Sequence, residues 1–451
     1  MKVEAMEVRD ASVGYAPQVG MPVVPEGYKQ TEVGVIPEDW EVATILEVTD
    51  QIMDFRGRTP RKLGMGWGGG DIPALSAGNV KQGYIDFNAE CYLGSESLYR
   101  RWMTKGDAQK DDIVFTTEAP LGNVALVPDT NKYILSQRTV LLRCHAEIAL
   151  SKFLFQYLSS DSFQRLLEDY SSGSTAKGIQ RKKLEQLEVP LPPLEEQRAI
   201  ATALSDVDAL LEALDRLIAK KRDIKQATMQ QLLTAQTRLP GFEGEWEVKQ
   251  LGALGSFHKG SGVRRDEAQS GSLPCVRYGE IYTVHDDVIR EFQSWISRDV
   301  AAAAVRIQRG DLLFAGSGET KDEIGKCVAV VTDEEAYAGG DIVILRAFNA
   351  NPVFMGYALN QPAVNMQKSS FGQGDAVVHI SATALSQIVI KLPPEAEQNA
   401  IAAVLSDIDA ELELLRQRHV KTAALKQAMM QELLTGRTRL GERTREGALH
   451  G

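Results

Sequence analysis

One apolar row along the chain reads Ile200, Leu204, Val207, Leu211, Leu214 and Ile218. Its steps alternate between four and three residues, which is a heptad seam on one face of an α-helix. Pro193 stands where a helix can begin, and acidic residues follow in the first turn. No Gly or Pro interrupts 194–234, so the pattern predicts a helix of about 41 residues, roughly 60 Å long. The row returns as Ile401, Leu405, Ile408, Leu412 and Leu415 within 395–435, with His419 where a sixth apolar residue is due. Elsewhere the pattern changes. Short apolar runs such as DIVFTT, NVALVP, DLLFAG and DIVILRAF are bounded by Gly, Asp, Asn and Pro and predict strands. SKFLFQYLSSDSFQRLLEDY and PVFMGYALNQPAVNMQ have helical spacing. Residues 39–190 and 245–391 are therefore expected to be α+β bodies with extensive loops.

The two helices are one sequence written twice. At an offset of 201, residues 195–239 match 396–440 at 25 of 45 positions without a gap. The matches include Glu196/Glu397, Gln197/Gln398, Asp206/Asp407, Asp208/Asp409 and Lys225/Lys426. Weaker echoes precede them: Trp40-Glu41-Val42 returns as Trp246-Glu247-Val248, Gly78 falls on Gly279, and Pro192-Pro193 returns as Pro393-Pro394. A unit of about 200 residues is a duplicated domain rather than a solenoid repeat. Each seam needs a cover, and the economical one is the other helix. Antiparallel packing would then give a pseudo-two-fold internal repeat with one body at each end. Residues 195–239 carry seven acidic and seven basic side chains, which suits a spacer rather than a helix laid on DNA.

Composition narrows the chemistry. The net charge of −11 argues against a protein that simply coats nucleic acid, yet leaves room for local basic patches. Such patches occur in the loops. FRGRTPRK carries Arg56, Arg58, Arg61 and Lys62, with Asn79 further on. SSGSTAKGIQRKKL carries Lys177, Gln180 and Arg181. In the second body the candidates are Lys259, Arg264, Arg265, Arg277, Tyr278, Glu280, Gln373 and His379. Arg and Lys neutralise phosphates, while Arg, Gln and Asn read base edges.

Catalytic signals are weak. Gly64–Gly69 matches GxGxxG, but Pro73 and no helical run follow it. Asn351-Pro352-Val353-Phe354 resembles the tetrapeptide with which amino-methyltransferases hold a base, but it equally opens a helix, and no Gly-rich cofactor loop accompanies it. There is no P-loop and no HExxH. Four scattered cysteines make neither a disulfide framework nor a metal site. No metal is expected. No 18-residue apolar run and no secretory h-region occur, so a cytoplasmic protein without membrane contact is expected.

Leu191-Pro192-Pro193-Leu194-Glu195-Glu196-Gln197, Ile200, Leu204-Ser205-Asp206-Val207-Asp208, Lys225-Gln226 and Leu232-Leu233-Thr234, with their second copies, resemble the specificity subunit of type I restriction-modification systems. GVIPEDWEV, RGRTP and GSTAKGI add to the likeness. The resemblance covers most of the chain. It implies an N-terminal arm at 1–38, target-recognition domains at 39–190 and 237–391, spacer helices at 191–236 and 392–440, and a tail at 441–451. It implies that each body reads half of a bipartite, asymmetric DNA site and that the antiparallel helices set the gap. It implies partners: two adenine methyltransferase subunits, and restriction subunits where present. S-adenosylmethionine, ATP and magnesium would be held in those partners, and this chain would not be an enzyme. Two rival readings are a non-DNA coiled-coil scaffold and a stand-alone DNA methyltransferase.

Overall fold

The computed structural model describes residues 24–171, 177–347, 349–374 and 376–440. Most of the expected N-terminal arm, part of GSTAKGI, and the C-terminal tail lie outside these residues. The chain forms two compact units, 1–212 with 420–451, and 213–419. The boundary cuts both long helices, Leu194–Leu232 and Glu395–Leu433. Unit 1 therefore holds the first body, the start of the first helix and the end of the second. Unit 2 holds the second body with the other two halves.

In unit 1 a four-stranded antiparallel sheet runs in the order Thr49–Asp54, Thr139–Cys144, Ile113–Thr117, Leu121–Leu126. Strand alternation divides its side chains between two cores. Ile113, Phe115, Val140 and Leu142 join Phe153 and Phe163 of the helices Ser151–Leu158 and Asp161–Tyr170. Val114 and Leu141 face the other way and pack with Leu75, Trp102 and Ile134. That second core is roofed by a smaller sheet of Tyr92–Gly94, Ile72–Leu75 and Ile134–Leu135. A hairpin of Tyr28–Thr31 and Gly34–Pro37 places Ile36 in the first core, so the body begins inside the stretch read as an arm.

Unit 2 repeats the plan. Its five-stranded sheet is ordered Gly255–Lys259, Ile342–Ala347, Asp311–Ala315, Cys327–Val330, Val288–Ile289. Leu312 and Phe314 face one core, Leu313 and Ala315 the other. Even the buried ion pairs correspond. Arg143 Nη2 meets Asp112 at 2.6 Å, and Arg346 Nε meets Asp311 at 3.0 Å.

Within each unit the helix segments run antiparallel. In unit 1, Ile200 and Leu204 share a core with Met430, Leu433 and Leu434, while Asp208 pairs with Lys426 at 2.6 Å. Advancing along one helix means retreating along the other. In unit 2, Leu232 and Leu233 share a core with Ile401 and Leu405, Lys225 pairs with Asp409 at 2.8 Å, and Asp215 with His419 at 3.2 Å. Seven seam residues, Ile200, Leu204, Leu214, Ile218, Ile401, Leu405 and Leu412, are buried, and Val207, Leu211, Ile408 and Leu415 are half-buried. His419, in the sixth place of the second row, contributes an ion pair in place of an apolar contact.

The duplicated Glu-Gln and Arg positions tie the helices to the bodies. Trp40 Nε1 donates to Glu196 at 3.0 Å, and Trp246 Nε1 donates to Glu397 at 3.2 Å. Arg439 forks onto Glu196 with two bonds of 2.8 Å and lies over the Trp40 ring. Arg238 does the same to Glu397, at 2.5 and 2.6 Å, over Trp246. Gln197 and Gln398 each accept from the first N–H of a body helix, at Leu150 and Asn351, both at 2.9 Å. The hydrogen bonds that Arg439 donates to Glu196 and Asp39 raise its pKa above its ordinary value. Glu196→Ala would strip Trp40 of its acceptor and Arg439 of one of two carboxylates. The expected cost is roughly 2–4 kcal/mol, read as a lower denaturation midpoint. Glu196→Gln, which still accepts from Trp40, should cost less.

Both helices end alike. Ala235 and Gly436 take left-handed φ angles of 59° and 70°, which stops an α-helix. Gly436 has a second reason to be glycine: a Cβ there would come within 2.5 Å of the Pro37 ring.

Candidate nucleic-acid interface

The loops expected to carry chemistry converge at one end of the inner strands of each main sheet. In body 1 the Thr117 N–H donates to Arg138 O at 2.8 Å, and the Ile179 N–H donates to Thr117 O at 2.9 Å. Arg56 Nη1 also donates to Thr117, at 3.1 Å. This joins the loop of Arg56, the turn at Arg138 and the segment of Lys177, Gln180 and Arg181. Body 2 has the same ladder: Gly316 N–H to Asp341 O at 2.7 Å, and Ile380 N–H to Gly316 O at 3.0 Å. Gly340 N–H adds a bond to Gly262 O at 2.9 Å, which brings in the loop of Lys259, Arg264 and Arg265.

Several expected contacts are committed elsewhere. Asn79 is 1% exposed. Its Oδ1 accepts from Ser76 Oγ at 2.8 Å and its Nδ2 donates to two carbonyls, so it holds a turn and presents nothing to a ligand. Glu280 is its register counterpart and is 4% exposed. It accepts from the Arg277 N–H at 3.1 Å, from Arg277 Nε at 3.0 Å and from Ser294. Both residues leave the candidate set, because burial with filled bonds leaves no atom to read with. Arg56 is turned back onto Asp54, with Nη2 at 2.6 Å, and serves to fix the loop. The Asp54 carboxyl, though burial acts to raise its pKa, is held below the usual value by Arg56. Arg58 bonds Trp102 O and Thr104 and lies 4.9 Å from the centre of the Phe55 ring.

The others are more available. Arg61, Lys62, Lys177, Gln180, Lys259, Arg264, Arg265 and Tyr278 are exposed. Lys62 Nζ donates to Gly57 O at 2.6 Å, Lys177 stands 3.7 Å from Glu168, and Arg181 pairs with Glu185 at 2.5 Å. Gln373 and His379 face each other across a two-bond bridge of 2.9 and 2.8 Å, and His379 Nδ1 lies 2.8 Å from Ser317 Oγ.

Sequence reading missed a cleft of about 600 Å³ beside the body 1 turn. Trp67, Tyr92, Trp102, Gln137 and Arg138 line it together with Arg58. The Trp67 and Tyr92 rings stack, with centroids 5.3 Å apart and planes 10° from parallel. These residues come from four separate segments. The only signal was a Trp and a Tyr set among glycines and turn residues.

The tetrapeptide Asn351–Phe354 is a helix start. Asn351 accepts from the Phe354 N–H at 2.9 Å, and its Nδ2 donates to Asn399 at 2.7 Å, so the amide that would have to hold a base is already used. Gly64 closes a 3₁₀ turn, Pro60–Leu63, and opens no helix. Among the described residues, no helix is long and apolar enough to cross a membrane.

A family model described as the type I restriction modification DNA specificity domain matches residues 37–221 and again 243–421. A putative type I restriction enzyme MjaX specificity subunit from Methanocaldococcus jannaschii is 24% identical over 437 residues, 92% of this chain and 97% of that one. The EcoKI specificity subunit of Escherichia coli is 22% identical over 401 residues, 82% of each chain. Among solved structures, the S subunit of a type I restriction-modification system from M. genitalium superposes with a TM-score of 0.57 at 16% identity, covering 87% of this chain and 96% of that one. That likeness concerns the fold.

Proposed function

The chain belongs to the type I restriction-modification DNA specificity family, whose members recognise DNA without catalysis of their own, and from that premise we propose how its parts divide the work. Body 1 and body 2 each read one half of a bipartite, asymmetric DNA site. The two long helices set the gap between the halves and dock two adenine methyltransferase subunits, with restriction subunits where present. S-adenosylmethionine, ATP and magnesium belong to those partners, and the complex works in the cytoplasm.

One observation carries this reading. The ties between helix and body are the same in both units, down to Trp–Glu–Arg, while the loop edges differ in charge and shape. Arg138 at the body 1 turn stands where body 2 has Asp341. Identical joints suit two identical partners, and different edges suit two different half-sites.

Methylation-sensitive long-read sequencing of the source genome, with and without this gene, tests it. Deletion should erase adenine methylation at one split, asymmetric motif. An unchanged methylome at every motif, in a strain that transcribes the gene, would return the scaffold reading to first place.

A further inference from the structure

The cleft of body 1 is not needed to build the fold. Body 2 has the same small sheet in the same register, and there the three residues that give the cleft its character are replaced. Ile72 pairs with Gly94 as Leu273 pairs with Ile296. Two residues back, Tyr92 therefore corresponds to Ser294. At the offset of 201 that relates Ile72 to Leu273, Trp67 falls at Ala268. The turn residue Arg138 corresponds to Asp341, as the shared ladder shows. Both turn residues have positive φ, 66° and 59°. The turn is thus common scaffold, and only its side chain has been changed.

What remains in body 1 is a set of groups suited to one kind of ligand. Tyr92 is 57% exposed, one face backed by Trp67 and the other open. An open aromatic face stacks a nucleobase of any identity. Gln137 is exposed at the rim, with a donor and an acceptor fit for the edge of an unpaired base. Arg138 beside it is half exposed, and its nearest carboxylate, on Glu118, is 3.9 Å away, which leaves guanidinium donors for a phosphate. The cleft is of small-ligand size.

We propose that this cleft takes one unstacked nucleotide of the DNA, its base laid on Tyr92, its edge read by Gln137 and its phosphate held by Arg138. This rests on the DNA-reading role given above and deepens it. It makes body 1 a reader of one extrahelical position, while body 2, with Ser294, Ala268 and Asp341, reads only paired bases. The nucleotide is distinct from the adenine that is methylated.

The test uses the full complex of this chain with its methyltransferase subunits, on duplexes of the motif found by sequencing. Each base pair of the body 1 half-site is mismatched in turn by changing the opposite strand. A base that must leave its pair leaves a mismatch at lower cost. Binding should tighten several-fold at one position other than the methylated adenine and weaken at the paired positions. Tyr92→Ala and Gln137→Ala should each abolish that gain, and Tyr92→Ala should weaken binding of the matched site about tenfold. Trp295→Ala in body 2 should leave the gain in place. If no such position tightens while the motif is still methylated, the pocket inference falls and the specificity role stands. A gain that persists in both cleft variants also overturns it. Saturable binding of free AMP that depends on Tyr92, with no mismatch gain, would assign the cleft to a diffusible nucleotide instead. Absence of motif-specific methylation would fail the underlying role itself.

Discussion

Four helix-forming residues inserted between Thr234 and Ala235 should abolish methylation at the original motif and create it at the same two half-sites with a gap one or two base pairs longer. The site of insertion matters. Ala235 is the left-handed residue that ends the first helix, so residues added before it extend the helix by about 6 Å. Base pairs rise about 3.4 Å, hence the one or two. The N–H of Thr237 returns to Gln231 O at 3.2 Å and Arg238 forks onto Glu397. A carbonyl of the inserted turn takes the place of Gln231 O, and the fork of Arg238 on Glu397, which lies beyond the insertion, should travel with the extended end. The same four residues placed after Arg238, between Leu239 and Pro240, only enlarge a loop and should leave the gap unchanged. Methylation of a plasmid library with variable gaps reads both variants. The ruler model fails if the helix insertion leaves the preferred gap where it was, or if the loop insertion moves it equally.

The rod was legible in the sequence because a heptad seam and an offset of 201 are local, periodic signals. So was the α+β character of the bodies, from the bounded apolar runs. What the sequence did not disclose is which half of each helix belongs with which body. That depends on Arg439 meeting Glu196 and Arg238 meeting Glu397, contacts across 243 and 159 positions that no periodicity encodes. The candidate site was legible only as composition. Counting basic residues found Arg61, Lys62 and Lys177 on exposed loops, but also chose Arg56, whose partner Asp54 lies two residues away. Asn79 and Glu280 show the limit well. They occupy matching positions in the two units and do the same buried job with different chemistry, so neither residue type announced it. The cleft was missed because Trp67, Tyr92 and Arg138 meet only after two sheets have formed.

Replacing Lys368 by Leu should stabilise the protein at neutral pH. Lys368 is 1% exposed, and the polar contact of its Nζ is Gly325 O at 2.8 Å. Burial, aided by the neighbouring Lys326 charge, brings its pKa down from 10.5 to about 8. The groups facing it give little relief. Cys327 is itself pushed up to about 12 by burial and stays a neutral thiol. The folded state therefore loses this proton near pH 8, while the unfolded chain keeps it to about 10.5. Between those values the unfolded state binds more protons, so wild-type stability rises with pH there, and below pH 8 the full penalty of roughly 3 kcal/mol applies. Losing the bond to Gly325 returns about 1 kcal/mol of that. The net gain for Lys368→Leu is about 2 kcal/mol at pH 7, shrinking to nothing or reversing near pH 10.5. Unit 1 supports the choice of residue. The position matching Lys368 is Leu167, buried against the equivalent glycine: a Cβ on Gly122 would come 2.8 Å from Leu167, as one on Gly325 would come 3.1 Å from Lys368. Thermal melts of the full chain at pH 7 and pH 10 decide the matter. If the variant melts no higher at pH 7, or keeps the same advantage at pH 10, the buried ammonium is not what holds unit 2 below the stability its fold allows.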